Sequence, residues 1–168
     1  MSDAPCPLLL KSDHIAMIDK GVSTIVSSRN AALRPSLMRA MGAGISPDGT
    51  EVTVFVSRTQ GRQLLQDIAA TGHIAVVFSE PLSHRTVQVK ARSAELRAAG
   101  EEDLPALRRY LTSMEYELGL VRCDPIFVRT ILSFRLEDLV AIRFTPGEAF
   151  DQTPGPKAGS ALRSSATA

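Results

Sequence analysis

The chain contains no tryptophan, only two cysteines, two tyrosines and six phenylalanines, and almost no net charge. Each shortage removes a class of protein. Its 19 lysines and arginines against 18 acidic residues leave a formal charge of +1. That balance implies neither nucleic acid nor an anionic membrane as partner, so any anion site has to be local. Cys6 and Cys123 stand far apart, outside any C-x-x-C or zinc-ligand spacing. A disulfide between them stays open, but two thiols in a reducing cytoplasm is the simpler reading. The three histidines, His14, His73 and His84, form no H-E-x-x-H or similar spacing, so no metal ligand is expected. No apolar run approaches the ~18 residues that span a bilayer. The opening MSDAPCPLLLKSDH lacks the basic region of a signal peptide. The expected location is cytoplasmic. No Ser/His/Asp set or carboxylate pair is brought together by sequence alone, so no catalytic residue is assigned.

What remains, 168 residues with 44% hydrophobic and 22% charged composition, suits one globular domain. Such a domain buries roughly 70% of its unfolded surface and needs no disulfide or metal to fold. The organising stretch is Glu51 to Phe78. Val52, Val54 and Val56 alternate with Thr53, Phe55 and Ser57, the pattern of a half-buried strand. Ser57-Arg58-Thr59-Gln60-Gly61-Arg62 then breaks the alternation and opens a helix with apolar Leu64, Leu65 and Ile68. A helix start offers unpaired N–H groups and the positive end of a dipole. The hydroxyls of Ser57 and Thr59 and the guanidinium forks of Arg58 and Arg62 would complete a phosphate cradle. On these residues alone a capped surface helix with solvated arginines fits equally well.

Around this unit, residues 1–11 with Pro5 and Pro7 suggest a loose arm, and Ser12 to Lys20 a short helix stopped at Gly21. A strand follows over 22–28. A second, glycine-interrupted strand is expected over 36–45, then a turn at Ser46-Pro47-Asp48-Gly49-Thr50. Val87, Val89 and Ala91 alternate with Thr86, Gln88 and Lys90 in a further strand, continuing to Leu96 with a bend near Arg92-Ser93. Residues 101–118 form the clearest helix, with an acidic first turn and a stripe of Leu104, Leu107, Leu111, Met114 and Leu118. Asp124-Pro125 caps another helix, and a last strand over 132–135 resumes at 139–144. From 146 to 168 the Pro/Gly/Ser-rich composition reads as a tail, extended or at most draped over the surface. Short strands with few, mostly terminal helices predict a mainly β domain over 12–145, an antiparallel barrel with peripheral helices.

The order of parts resembles the FMN-binding split-barrel family, that of pyridoxamine 5′-phosphate oxidase. Pro35–Gly42 looks like its second barrel strand, which faces the flavin. Ser57–Arg62 with the helix and strand after it resembles its phosphate segment, and Thr86–Ala91 the strand whose glutamine reaches the flavin. The resemblance implies a split β-barrel with flanking helices, a homodimer with FMN at the subunit interface, and an oxidoreductase acting on a small molecule by hydride transfer through flavin N5. It implies Arg39, Ala40, Met41, Ser57, Arg58, Thr59, Arg62, Gln88 and Lys90 as cofactor residues, with arginine standing where the family has lysine. No histidine follows His84, so the family's C-terminal Arg-x-His has no counterpart, and neither pyridoxamine phosphate oxidation nor haem handling is expected. A non-catalytic flavin module, and a split barrel using a deazaflavin or no cofactor, remain the alternatives.

Overall fold

Two strands of this chain are interrupted, and each interruption hands the backbone from one sheet to another. The computed structural model describes residues 10–162. In it one sheet holds β1 (Ser23–Arg29), β2 (Pro35–Arg39), β5 (Ile74–Ser79), β6 (Thr86–Ala91), β9 (Glu148–Asp151) and β10 (Ser160–Ala161), in the order β10-β9-β6-β5-β1-β2. The other holds β3 (Gly42–Ile45), β4 (Val52–Ser57), β7 (Glu95–Ala98) and β8 (Leu139–Phe144), in the order β3-β4-β8-β7. All pairings are antiparallel.

The single strand expected over 36–45 is therefore two strands in different sheets. Consecutive amides divide between them: Ala40 N–H donates to Thr24 O at 3.0 Å on β1, while Met41 N–H donates to Phe55 O at 2.7 Å on β4. The bend expected at Arg92-Ser93 is the corresponding corner between β6 and β7. There Gly72, at φ +69°, lies so close to Arg92 that a Cβ would sit 2.5 Å from its carbonyl oxygen, and Ala94 N–H donates back to Gly72 O at 3.0 Å. Only glycine serves a positive φ with backbone that near. The hairpin at Ser46–Thr50 joins β3 to β4 as predicted, with the Asp48 carboxylate accepting from the Thr50 N–H at 3.1 Å.

Helices close the open flanks. α1 (Ser12–Lys20) and α2 (Arg62–Thr71) insert Met17, Ile18, Leu64 and Ile68 into the main core. Each such side chain contributes about 1.5–3 kcal/mol on burial. α3 (Leu104–Leu120) packs over β3, and α4 (Pro125–Ile131) packs against α3. Asp124 caps α4 as expected, accepting from Ile126 N–H at 2.7 Å.

Four further expectations are corrected. β4 is not half-buried: Phe55, on the face away from Val52, Val54 and Val56, packs with Met41, Leu107, Leu139 and Ala141 in a second apolar cluster, because α3 covers that side. The line of α3 that sinks deepest is Leu107, Tyr110, Met114 and Glu117, with Leu104, Leu111 and Leu118 on its margins. Glu117 tolerates burial because Lys20 Nζ lies 2.7 Å away and also reaches Glu80 at 2.6 Å, and a buried charge needs such a partner. Residues 132–135 are not a strand; Leu132 ends α4, and a 3-10 turn at Leu136–Asp138 leads directly into β8. Finally, the stretch after 146 is not merely a tail. β9 pairs with β6 and buries Ala149, and β10 pairs with β9. The strand was hidden because Ala149 and Phe150 stand side by side between two acidic residues, so no alternation shows. Residues 1–9, including Cys6, and 163–168 lie outside the described residues.

Candidate functional site

The turn between β4 and α2 is held from the far end of the chain. Because Ser57 pairs with Leu139 across β4 and β8, Asp138 stands beside the turn. Its carboxylate accepts from Ser57 Oγ at 2.6 Å, from Thr59 Oγ1 at 2.6 Å and from Thr59 N–H at 3.1 Å. Its backbone carbonyl accepts from Arg58 N–H at 2.6 Å. The Ser57 hydroxyl, then that of Thr59, hold the Asp138 carboxyl below the usual carboxylate range. Gln60 N–H donates to Ser57 Oγ at 3.2 Å and Gly61 N–H to Ser57 O at 2.8 Å. Every donor that a phosphate would have taken from residues 57 and 59 is thus engaged by an internal carboxylate. The hydroxyls of Ser57 and Thr59, expected as phosphate ligands, are therefore not free for one. Ser57, itself buried, is a strut of the turn.

The rest of the cradle is available. α2 has no side-chain cap and no acidic residue in its first turn. Its first intrahelical bond is from Leu65 N–H to Gly61 O at 2.9 Å. The N–H groups of Arg62, Gln63 and Leu64 therefore point outward from the positive end of the helix. Arg58 and Arg62 are exposed and make no ion pair among the described residues. With Thr59, Leu65, Gln66 and Ala69 they line a cleft of about 410 Å³. Guanidinium forks beside free helix amides are the kind of donors that could hold an anion such as a phosphate.

The remaining expected residues sit elsewhere. Ala40 is fully buried and Met41 nearly so, so their side chains belong to the core, and any ligand contact there would be through backbone. Arg39 and Gln88 share the outer face of the six-stranded sheet, where Arg39, Ile25, Val77, Gln88, Phe150 and Ala161 are successive cross-strand partners. Three strand spacings separate Arg39 from Gln88, about 14 Å. Arg39 Nη1 donates to Ser23 Oγ at 3.2 Å, and Gln88 Oε1 meets Gln152 Nε2 at 3.4 Å. Lys90 lies on the same face with its ammonium 4.6 Å from the centroid of the Phe150 ring, and it lines a different cleft from Arg58 and Arg62. The structure thus joins Arg58, Thr59 and Arg62 at one place and Arg39, Gln88 and Lys90 on one face. Asp138, 81 residues from Ser57, was missed. Its only sequence signal is an acidic residue just before a strand.

No family model matches the chain, and no curated protein matches it. Solved structures do. HupZ of Group A Streptococcus is 13% identical with a TM-score of 0.55, covering 89% of this chain and 99% of its own. An F420 reductase is 12% identical with a TM-score of 0.57, covering 83% and 98%. A candidate pyridoxamine 5′-phosphate oxidase of Lactobacillus delbrueckii is 14% identical with a TM-score of 0.52, covering 84% and 93%. At these identities the likeness shows the fold: the chain is an antiparallel split barrel with flanking helices.

Proposed function

We propose that this split barrel binds FMN and acts as an oxidoreductase on a small molecule. The observation that carries the reading is the pair of guanidinium groups, Arg58 and Arg62, which make no ion pair among the described residues and line a cleft beside an uncapped helix start. That arrangement is suited to a phosphate monoester. Bound there, FMN would supply hydride transfer at N5, chemistry that the protein's own side chains lack. The chain's part is to hold the phosphate with Arg58, Arg62 and the α2 amides, and to keep their turn rigid through Asp138. Gln88 and Arg39 offer polar contacts on the sheet face to the rest of the cofactor. The half-buried Ile25 and Val77 between them offer apolar surface to a second copy of the chain, as in a homodimer with the flavin at the interface.

The phosphate cleft suits a deazaflavin as well, and an F420 reductase shares the fold. The visible absorption spectrum of the purified protein, recorded with added FMN and with added deazaflavin alongside the mass in solution, separates the two. About one FMN per subunit, in a dimer, is the expected outcome. A colourless protein that ignores FMN refutes the reading. Turnover of a nicotinamide donor or an oxidisable amine then distinguishes an enzyme from a non-catalytic flavin module.

A further inference from the structure

A second basic depression lies on the six-stranded sheet, at the Arg29 end of β1. Two rows of side chains form it. Ser27, Ala75, Lys90 and Glu148 are successive cross-strand partners on β1, β5, β6 and β9. One same-face step further, just beyond the ladder, stand Arg29, His73 and Arg92. Together they line a cleft of about 540 Å³, within the range of small-molecule sites. The small side chains of Ser27 and Ala75 leave the middle of the sheet low, while Arg29, Lys90 and Arg92 rise around it from both sides.

The charges there are poorly matched. Among the described residues three cations face one carboxylate, Glu148, and Arg92 meets it only at 4.0 Å. Arg29 and Lys90 make no ion pair among the described residues. Phe150 orients the Lys90 ammonium without neutralising it. His73 lines the cleft as well, but its Nδ1 is buried and has no hydrogen-bond partner among the described residues. The Ser27 and Ser28 hydroxyls already donate to Ala75 O at 3.1 Å and His73 O at 2.7 Å, so recognition falls to the three cations. Three positive charges less one negative leave about +2, which matches the −1.5 to −2 of a phosphate monoester. A carboxylate would satisfy only half of it.

We infer that this depression binds the phosphate group of a small phosphorylated molecule, at a site separate from the Arg58–Arg62 cleft and standing whether or not a flavin binds there. The test is a titration of the isotope-labelled full chain with ribose 5-phosphate, ribose and inorganic phosphate at constant ionic strength, followed by amide NMR shifts. Ribose 5-phosphate should shift the amides of residues 27–29, 73–75 and 90–92 saturably, and ribose should not. Lys90→Met and Arg92→Gln, both at exposed or half-exposed positions, should each weaken binding about tenfold with the unliganded melting temperature unchanged. Arg58→Ala should leave it intact. Inorganic phosphate reaching the same amides with equal affinity supports the site and locates all recognition in the phosphate; weaker binding than the ester supports a contribution from the sugar. Shifts centred on residues 58–66, shifts reproduced by chloride, or no saturable shift would each overturn the inference.

Discussion

Replacing Arg58 and Arg62 together by alanine asks directly whether their cleft holds a phosphate. A charge-assisted hydrogen bond contributes about 1.5–3 kcal/mol. Both side chains are exposed, so solvent screening places each near the lower end. About 1.5 kcal/mol per arginine is roughly tenfold in affinity, and the double variant should lose on the order of 100-fold for FMN. Two arginines on one phosphate are close enough to couple, so the double loss can fall short of the product of the single ones. Riboflavin lacks the phosphate, so its affinity should change by less than about twofold between wild type and variant. Ser57→Ala gives a sharper contrast. Its hydroxyl already donates to Asp138, so it should cost FMN affinity less than Arg62→Ala does. Quenching of flavin fluorescence measures all of these, with far-ultraviolet circular dichroism confirming that each variant is folded. Equal losses for both flavins, or no loss for either, would refute the phosphate assignment.

Asp138→Asn should lower stability at neutral pH, with a deficit that shrinks on acidification. The folded-state pKa of Asp138 is depressed, so its stabilisation is present above the ordinary carboxylate value of about 4 and is lost as pH falls below it; urea midpoints at neutral and acid pH read this out. Gly42→Ala should destabilise by about 1–3 kcal/mol, because a Cβ there would sit 2.6 Å from Leu107 Cδ2 and 3.2 Å from Phe55 Cδ2. Adding Leu107→Ala should cost less than the two single losses summed, since each change relieves the other, and thermal melts of the four proteins settle it. A chain ending at Pro146 loses β9 and exposes the β6 edge. Hydrogen exchange of residues 86–91 should then accelerate and the protein should aggregate more readily.

The elements visible in the sequence were those whose signal is local. The hairpin at Ser46–Thr50, the Asp124 cap and the long periodic helix depend on residues within one or two turns of each other. The strand of Val87, Val89 and Ala91 shows clean alternation because one of its faces is only half covered. Where the signal depends on distant packing, it is lost in a consistent way. β4 looked half-buried because Phe55 occupies the position that a solvent-facing residue would take, and only the placement of α3 turns that face inward. The break between β2 and β3 was visible in its glycines, but not its consequence, since the change of sheet depends on amides choosing partners on β1 and β4. Nothing in a composition rich in proline and glycine marks Glu148–Asp151 as a strand, because its order comes from β6.

The candidate site shows the same limit at the level of chemistry. Hydroxyls, amides and guanidinium groups near a helix start read alike as anion ligands, since a carboxylate and a phosphate accept the same bonds. What separates them is whether the fold delivers a carboxylate of its own, and Asp138 arrives only through the β4–β8 pairing. Once it is in place, the donors divide by reach. The short ones, Ser57 and Thr59, are spent on the internal anion and make the turn rigid. The long ones, Arg58 and Arg62, extend past it into solvent, with the α2 amides behind them. A rigid turn reduces the ordering cost of binding, so the internal carboxylate that takes up two expected ligands would also prepare Arg58 and Arg62 for the proposed phosphate.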